Sequence, residues 1–391
     1  MKKALCIISL VCILIGNAVT FVSAEEEKEN TDQKLAEDAK SALLMERDTG
    51  KILFHKNEHE KLPPASMTKI MTLLLIMEAL DEEKLKINEQ VRVSEHAASM
   101  GGSQIFLEAG EKMSVDDLLK GISIASGNDA SVALAERIAG SEDAFVEKMN
   151  QKVKELGLKN TKFQNVTGLP ADGQYSTAHD MAVMSKELLK YEDITNYTSI
   201  YEDYLRKGED NEFWLVNTNR LVKFYAGVDG LKTGYTSEAK YCLSATAEKE
   251  EMRVIAVVMG ASSSKERNEQ VSKMLDYAFN HYQTQKLFEK GDKITELNLT
   301  KAENKKTDVV AAESISTLFK RGDSFDNITT EVVMKEDIQL PVQKGDSVGE
   351  LIIKDKDNIL SKSNLTVKDT IHEATFGTLW KRVWQNMAKN D

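Results

Sequence analysis

The sequence predicts an α/β sandwich in which helices cover both faces of one antiparallel sheet, followed by a small all-β domain and a C-terminal amphipathic helix. Three observations lead to this fold class. Strand-like runs stand at both ends of a long helical region, short β-branched runs separated by turn residues follow, and the last residues have helical apolar spacing. A sheet that takes strands from both ends of its domain accounts for the first observation.

The first 24 residues have the pattern of a secretory signal peptide. Lys2 and Lys3 precede an apolar run, and Val22 and Ala24 stand at the two positions that the cleaving enzyme reads. The alternative is an uncleaved membrane anchor. Both interpretations place the rest of the chain outside the cytoplasm, so we expect an extracytoplasmic protein.

The composition argues against several classes of function. Without residues 1–24 the chain would carry 49 Lys and Arg against 63 Asp and Glu, a net charge of −14 that does not suit a nucleic-acid partner. Cys6 and Cys12 fall in the signal segment, so Cys242 stands alone and no intrachain disulfide is expected. The six histidines lack the spacing of metal ligands, and we predict neither a metal site nor a cofactor.

Residues 25–285 are predicted to form the first and larger domain. Asp48-Thr49-Gly50 separates two apolar runs, which is a hairpin signal. The helix that begins near Ser66 is apolar nearly all round, so we expect it to be buried. The further predicted elements are helices over about 114–157, "TAHDMAVMSKELLKY" and about 264–283, and strands over "YCLSATAEK" and "MRVIAVVMG".

Residues 286–372 are predicted to form the small all-β domain. Short β-branched runs are separated there by Gly291-Asp292, Gly322-Asp323 and Gly345-Asp346, and no long helical period interrupts them. The rhythm of turn signals therefore indicates a second domain that is built from strands.

Residues 373–391 are predicted to form an amphipathic helix that lies in a membrane surface. One helical stripe carries Phe376, Leu379, Trp380, Val383, Trp384 and Met387. Two of the three tryptophans of the chain stand in it, and tryptophan favours the membrane interface because its ring is apolar while its N–H needs water. The alternative is a helix that docks on its own domain. We favour the interfacial anchor, since a terminal helix after a small β-domain has little core left to cover.

Ser66 and Lys69 lie one helical turn apart in "PPASMTKIMT", so their side chains share a helix face. A serine hydroxyl is weakly nucleophilic, and a free lysine, with a pKa of about 10.4, holds its proton at neutral pH. Burial and a neighbouring cation both lower a lysine pKa, after which Lys69 could act as general base toward Ser66. The pattern alone is unspecific, because Ser-x-x-Lys also begins at Ser237 and Ser262 and Ser66 could simply cap its helix.

Two further motifs occur once each in the chain. Ser126-Gly127-Asn128 lies in a short break between two helical segments, and Lys232-Thr233-Gly234 lies just before the second pair of strands. Taken singly, they could be a helix cap and a turn. All three motifs in this order are the signature of penicillin-binding proteins and class A β-lactamases.

Over about residues 37–285 the chain resembles the low-molecular-mass penicillin-binding proteins that are serine D-alanyl-D-alanine carboxypeptidases. The likeness extends to "SMGGSQIFLEAGE", "LLKGISIASGNDASVALAE", "NVTGLPADGQYSTAHDMA", "GVDGLKTGYT" and "RVIAVVMGASSSKER". It implies an α/β sandwich of the penicillin-recognising serine transpeptidase and β-lactamase type. It also implies the appended β-domain and the C-terminal anchor.

The resemblance assigns the covalent chemistry to two of the motifs. Ser66 would be the acylated nucleophile and Lys69 its base. Ser126 would relay a proton to the leaving amine, and Asn128 would hold the amide of the substrate. The substrate would be a peptidoglycan stem peptide that ends in D-alanyl-D-alanine, and β-lactams would acylate the same serine and inhibit.

The resemblance assigns substrate binding to the third motif and to a later arginine. Lys232 would keep the pKa of Lys69 low and, with Thr233, would bind the terminal carboxylate. Gly234 would leave room for the substrate to add as a strand. The backbone N–H of Tyr235 would complete the oxyanion hole with that of the nucleophile, and Arg267 would contact the carboxylate.

Three alternatives to the carboxypeptidase remain at this stage. A class A β-lactamase would need Glu-x-x-Leu-Asn between the second and third motifs, and residues 129–231 do not contain it. A D,D-endopeptidase that cuts crosslinks would use the same motifs. A non-catalytic penicillin sensor or wall-binding protein would have no reason to keep a competent Ser66 and Lys69 pair.

Overall fold

The computed structural model describes two compact units, which divide between Tyr282 and Gln283. The described residues are 34–323, 328–356 and 358–387. The predicted signal peptide, residues 1–24, lies outside them. Within these ranges no helix combines the length and the hydropathy that crossing a membrane requires.

The first unit contains a central sheet, two small two-stranded sheets and the helices around them. Its strands are β1 (Ser41–Glu46), β2 (Ile52–Lys56), β3 (Gln90–Arg92), β4 (Lys112–Ser114), β5 (Glu202–Leu205), β6 (Phe213–Val216), β7 (Val228–Thr236), β8 (Lys240–Lys249) and β9 (Met252–Ala261). Its helices are α1 (Lys69–Asp81), α2 (Glu95–Ala98), α3 (Val115–Ser123), α4 (Asn128–Ala139), α5 (Glu142–Glu155), α6 (Ala178–Leu188), α7 (Ile194–Thr198), α8 (Leu221–Phe224) and α9 (Ser264–His281).

The central sheet joins the two ends of the first unit. Its strand order is β2-β1-β9-β8-β7, and each neighbouring pair is antiparallel. The prediction of one antiparallel sheet built from both ends of the domain is therefore confirmed. Strand β7, which carries the Lys-Thr-Gly motif, is an edge strand, so one side of its backbone is left for another strand to pair with.

Helix α1 lies inside the main hydrophobic core, as its all-round apolar sequence predicts. Ten of its thirteen residues are buried, and they include the charged Lys69. Alternate residues of the sheet, such as Leu43 and Val257, face this same core together with α1 and α6. The intervening residues are also buried, and α9 packs against β8 and β9 to cover that other face.

A loop over residues 163–177 packs against the turn that carries Ser66. Thr72 of α1 donates from Oγ1 to the backbone oxygen of Val166 at 2.7 Å. Gly168 approaches the turn so closely that a Cβ atom there would lie 1.8 Å from the backbone oxygen of Ala65. Ala65 itself has φ +48°, a left-handed conformation that is uncommon outside glycine. The two backbones thus fix each other's positions.

The second unit is all-β apart from its last helix, as predicted. Its elements are β10 (Tyr282–Phe288), β11 (Lys293–Asn298), β12 (Lys306–Ala311), β13 (Ile315–Lys320), β14 (Ile328–Met334), β15 (Gly349–Asp355), β16 (Asn358–Val367) and α10 (Phe376–Met387). Strands β11-β12-β16-β15-β14 form an antiparallel sheet, and β10 pairs with β13. Val309, Leu351 and Leu365 belong to the core of this unit.

Helix α10 leaves its aromatic side chains in solvent. Phe376, Trp380 and Trp384 are 80%, 57% and 60% exposed, and the ring of Trp380 stacks on that of Phe376 and meets that of Trp384 edge to face. Arg382 fixes the helix to its own unit by donating to three backbone oxygens, among them Ala302 at 2.8 Å. The side chains of Val383 and Met387, which complete the predicted stripe, lie outside what the structure describes.

We predict that Gly168→Ala destabilises the protein and slows its labelling by a fluorescent penicillin. The added methyl group would collide with the backbone of Ala65, which cannot rotate away, at a cost of about 1–3 kcal/mol beyond the cost of the positive φ. Gly173→Ala is the matched control, because Gly173 also has positive φ but would meet only the flexible end of Gln164. Thermal unfolding measures the stability of the two variants, and the rate of penicillin labelling measures their reactivity. Equal effects of Gly168→Ala and Gly173→Ala would contradict the prediction.

Candidate active site

Ser66 lies in a short 3₁₀ turn, Ala65–Thr68, that leads into α1. The α-helix proper begins at Lys69, later than the sequence suggests, and residue 68 precedes it without a side-chain cap. Ser66 is therefore not the cap of α1, which removes the simpler explanation of its position. The turn keeps the predicted spacing, and Lys69 Nζ lies 3.3 Å from Ser66 Oγ.

The amine of Lys69 is fully buried and has three oxygen neighbours. It donates to Asn128 Oδ1 at 2.6 Å and to the backbone oxygen of Thr167 at 2.8 Å. An uncharged amine has two N–H bonds and one lone pair. With both N–H bonds directed to these two oxygens, the lone pair is left for the hydroxyl of Ser66, which is the arrangement that a general base needs.

The electrostatics of the site favour this uncharged amine. Burial lowers the pKa of Lys69 well below 10.5, Lys232 lowers it further, and Asp129 acts in the opposite direction. Burial and then the charge of Arg267 lower the pKa of Lys232 to about 7. Burial lowers the pKa of Arg267 to about 10, so that Arg267 keeps its charge at neutral pH. The site thus favours positive charge at Arg267 and disfavours it at Lys69.

Ser126 lies in the predicted break, between the end of α3 and the start of α4. It is 3% exposed and has φ +64°, and its Oγ has no hydrogen-bond partner among the residues that the structure describes. A buried hydroxyl without a partner costs free energy, and so does a left-handed serine. Such a combination is typical of groups that are kept ready for a substrate.

Asn128, the first residue of α4, is held by the protein at both ends of its amide. Its oxygen accepts from Lys69, and its Nδ2 donates to the backbone oxygen of Gly101 at 2.7 Å. The resemblance assigned this side chain to the substrate amide. The contacts also give it a second task, because it fixes the orientation of the Lys69 amine.

Strand β7 brings the third motif beside the nucleophile. A Cβ atom at Gly234 would lie 2.9 Å from Pro64 O and 3.2 Å from Met67 N, so glycine here makes room for the turn around Ser66. We expected that room to serve the substrate strand. Lys232 is 1% exposed, and its amine donates to the backbone oxygen of Thr233 at 3.2 Å.

Tyr235 and Arg267 stand in contrasting environments. The side chain of Tyr235 is 54% exposed, with its ring 4.5 Å from that of Tyr241 on β8, so its backbone N–H is the part that could serve the oxyanion hole. Arg267, in the first turn of α9, is 6% exposed and donates to Asn268 Oδ1. It is therefore not a solvated surface arginine, and burial keeps its charge close to the other cations.

Sequence reasoning missed several residues that position the site. Thr167 supplies a main-chain oxygen to Lys69, and Thr218 accepts a hydrogen bond from Thr233 Oγ1 at 2.8 Å. Asn165 Oδ1 accepts a hydrogen bond from the backbone N–H of Gly168 at 2.7 Å and so holds the loop over residues 163–177. The carboxylate of Asp129 accepts hydrogen bonds from the backbone N–H groups of Ile105 and Leu107. For Asn165, Thr167 and Thr218 the signal was the pair of polar stretches "NVTG" and "NTN", whose role spacing alone does not reveal, and Asp129 directly follows the second motif.

Two family models match the chain. Residues 27–263 match the family described as D-alanyl-D-alanine carboxypeptidase, and residues 282–373 match the C-terminal domain of penicillin-binding protein 5. The two ranges cover most of each unit, and helices α9 and α10 lie outside them. The first contains all three motifs.

Curated relatives and solved structures agree with the family models. The chain is 54% identical to D-alanyl-D-alanine carboxypeptidase DacF of Bacillus subtilis over 389 residues, covering 100% of both chains. It is 34% identical to the carboxypeptidase DacC of Escherichia coli, covering 94% of this chain and 93% of that protein. The crystal structure of penicillin-binding protein 5 from Haemophilus influenzae matches with a TM-score of 0.67 and 31% identity, over 86% of this chain and 98% of that one. The predicted fold class is confirmed.

We predict that Lys69→Ala lowers the rate of acylation by penicillin by about 10²–10⁴-fold or more, because the base is lost. In the unmodified protein the rate should rise with pH as Lys69 loses its proton and should reach its plateau well below pH 10.5, since the pKa of Lys69 is lowered. Stopped-flow measurements of the rate of acylation by penicillin at a series of pH values test both expectations. Lys186→Ala is the control, because the Lys186 amine also donates to a backbone oxygen, that of Asp48. A near-normal rate for Lys69→Ala would show that another group is the base.

Proposed function

Because this chain belongs to the D-alanyl-D-alanine carboxypeptidase family, we propose that Ser66, Lys69 and Ser126 carry out the reaction of that family in this protein. The activity is the hydrolytic release of the C-terminal D-alanine from peptidoglycan peptides, and penicillin-binding proteins are targets of β-lactams. The single observation that carries the assignment of residues is the geometry of the buried Lys69 amine, which contacts Asn128 Oδ1, the backbone oxygen of Thr167 and Ser66 Oγ.

Acylation begins when Lys69 takes the proton of Ser66 and Oγ attacks the carbonyl carbon of the penultimate D-alanine. The backbone N–H groups of Ser66 and Tyr235 stabilise the negative charge on the carbonyl oxygen. Ser126 passes its proton to the nitrogen of the terminal D-alanine as the peptide bond breaks and takes in exchange the proton that Lys69 received from Ser66, so that both groups return to their starting states. Water then attacks the acyl-enzyme, returns the proton to Ser66 and releases the shortened peptide.

The fixed charges favour a substrate with a free C-terminal carboxylate. Arg267 supplies a buried positive charge, and Lys232, with a pKa of about 7, can accept a proton when an anion binds beside it. We assign the recognition of the carboxylate to these two residues and to Thr233, whose hydroxyl is held by Thr218. Asn128 and Gly234 complete the binding site, the first through its amide and the second by letting β7 approach Ser66.

The same contacts bear on the alternatives. Among the described residues no carboxylate forms an ion pair with Lys69, and a backbone oxygen faces its amine instead, which does not resemble the glutamate-assisted site of a class A β-lactamase. A sensor without catalysis would have no use for a buried, unpartnered Ser126 hydroxyl or for a lowered pKa of Lys69. A D,D-endopeptidase would use the same motifs, and the release of D-alanine from an uncrosslinked peptide is what distinguishes the carboxypeptidase from it.

We also propose that the protein is secreted by its signal peptide and held at the outer face of the cytoplasmic membrane by α10. The exposed stripe of Phe376, Trp380 and Trp384 supports the second part, because three aromatic rings in solvent are unfavourable unless something apolar covers them. In chain order, residues 286–372 lie between the catalytic domain, residues 25–285, and this helix.

The catalytic proposal predicts that the protein releases D-alanine from diacetyl-L-lysyl-D-alanyl-D-alanine and that penicillin becomes attached to residue 66. Ser66→Ala should lose both reactions, since it removes the hydroxyl that contacts the Lys69 amine. An assay of free D-alanine and mass spectrometry of the digested penicillin adduct measure them. Penicillin labelling without any release of D-alanine would favour the sensor, and an adduct elsewhere would overturn the assignment of Ser66.

The anchor proposal predicts that removal of residues 375–391, or the double substitution Trp380→Glu/Trp384→Glu, moves the processed protein from the membrane to the soluble fraction. Trp214→Glu is the control, because Trp214 is another exposed tryptophan, 54% exposed, on a hairpin of the first unit. Fractionation followed by immunoblotting is the measurement. If both helix variants stay in the membrane fraction, α10 is not the anchor.

A further inference from the structure

A cavity of about 160 Å³ lies directly beside the catalytic turn. Ala65 and Gly168 form the side of the cavity that adjoins Ser66, and Thr236 at the end of β7 lines it as well. None of the steps derived above uses this space. Its position makes it part of the path of any peptide that pairs with β7.

The direction of the bound peptide follows from the proposed function. The terminal carboxylate lies near Lys232 and Thr233, and the scissile carbonyl lies at Ser66 and the N–H of Tyr235. Residues that precede the scissile bond must therefore continue along β7 toward Thr236. At about 3.3 Å per residue, the residue before the D-alanyl-D-alanine pair is about 7 Å from the terminal one, which brings it to the end of β7.

The walls of the cavity have two chemical characters. Pro63, Leu169 and Pro170 supply apolar surface, against which a hydrocarbon stem could pack. Asp172 and Glu238 supply two exposed carboxylates. Within the described part of the chain neither carboxylate has a hydrogen-bond or ion-pair partner, so both charges are available to a ligand.

The neighbouring lysine does not neutralise these carboxylates. Lys61, two residues before Pro63, has its amine over the ring of Tyr175, 4.6 Å from the ring centroid. The charged side chains that line the cavity are thus Asp172 and Glu238, and both are negative. An apolar wall with an anionic mouth is complementary to an alkyl chain that ends in an ammonium group.

We propose that this cavity binds the side chain of the residue that precedes the D-alanyl-D-alanine pair, and that it selects a diamino acid whose side chain carries a free ammonium group. The inference rests on the proposed function, because that function sets the direction of the peptide. It goes further by assigning substrate selection to Asp172 and Glu238. These are binding residues that set specificity and do not take part in the chemistry.

The test compares three peptides, Nα-acetyl-L-Xaa-D-alanyl-D-alanine with lysine, Nε-acetyl-lysine or glutamate as Xaa. For the unmodified protein we expect kcat/KM for the lysine peptide to exceed that for the acetylated one by about 2- to 30-fold, as expected for two partly solvated ion pairs. In Asp172→Lys/Glu238→Lys this preference should disappear, and the glutamate peptide should become the best of the three. Each ratio compares kcat/KM for two peptides with the same enzyme preparation. A smaller fraction of folded protein lowers both values equally and leaves the ratio unchanged.

The control is Glu147→Lys/Glu192→Lys, which makes the same change of net charge at exposed positions outside the cavity. It should keep the preference of the unmodified protein. Equal kcat/KM for the three peptides in the unmodified protein, or an unchanged preference after charge reversal in the cavity, would overturn the inference while the proposed function stands. If the unmodified protein releases no D-alanine from any peptide, the proposed function fails and the inference fails with it.

Discussion

The structure of the site depends on keeping one lysine amine uncharged inside the protein. A buried ammonium group would be strongly disfavoured, and a buried amine still needs partners for its N–H bonds. Asn128 and Thr167 supply those partners from two different segments, and each segment is fixed in turn, the first through Gly101 and the second through Gly168. Helix α1, which carries Lys69, is buried on all sides and cannot move independently of these segments.

The distribution of charge follows from the same constraint. Lys69, Lys232 and Arg267 are all at most 6% exposed, and three buried cations at short range would repel one another. The conflict is reduced by unequal proton affinity, since the pKa of Arg267 is lowered only to about 10, that of Lys232 is lowered to about 7, and burial and Lys232 lower that of Lys69 well below its usual value. A single group of basic residues can thus provide both an anion-binding charge and a general base.

Local geometry could be predicted from the sequence, and long-range packing could not. The relation of Ser66 to Lys69 depends only on helical spacing, and the sheet could be recognised because strand patterns stood at both ends of the domain. Thr167, however, lies 98 residues from Lys69 and acts through its main-chain oxygen, so its side chain gives no signal. The sequence predicted that Gly234 makes room for the substrate. Only the three-dimensional structure shows that the turn around Ser66 occupies the space beside Gly234.

The oxygen that Thr167 offers to Lys69 belongs to the main chain, and this has an evolutionary consequence. A point mutation can replace a side chain, but every amino acid retains its carbonyl group, so no codon change at position 167 deletes this hydrogen bond. Only a change in the backbone path of this loop would remove the hydrogen bond between Lys69 and Thr167. A single substitution at position 167 that gives drug resistance therefore cannot do so by deleting the oxygen that binds the Lys69 amine.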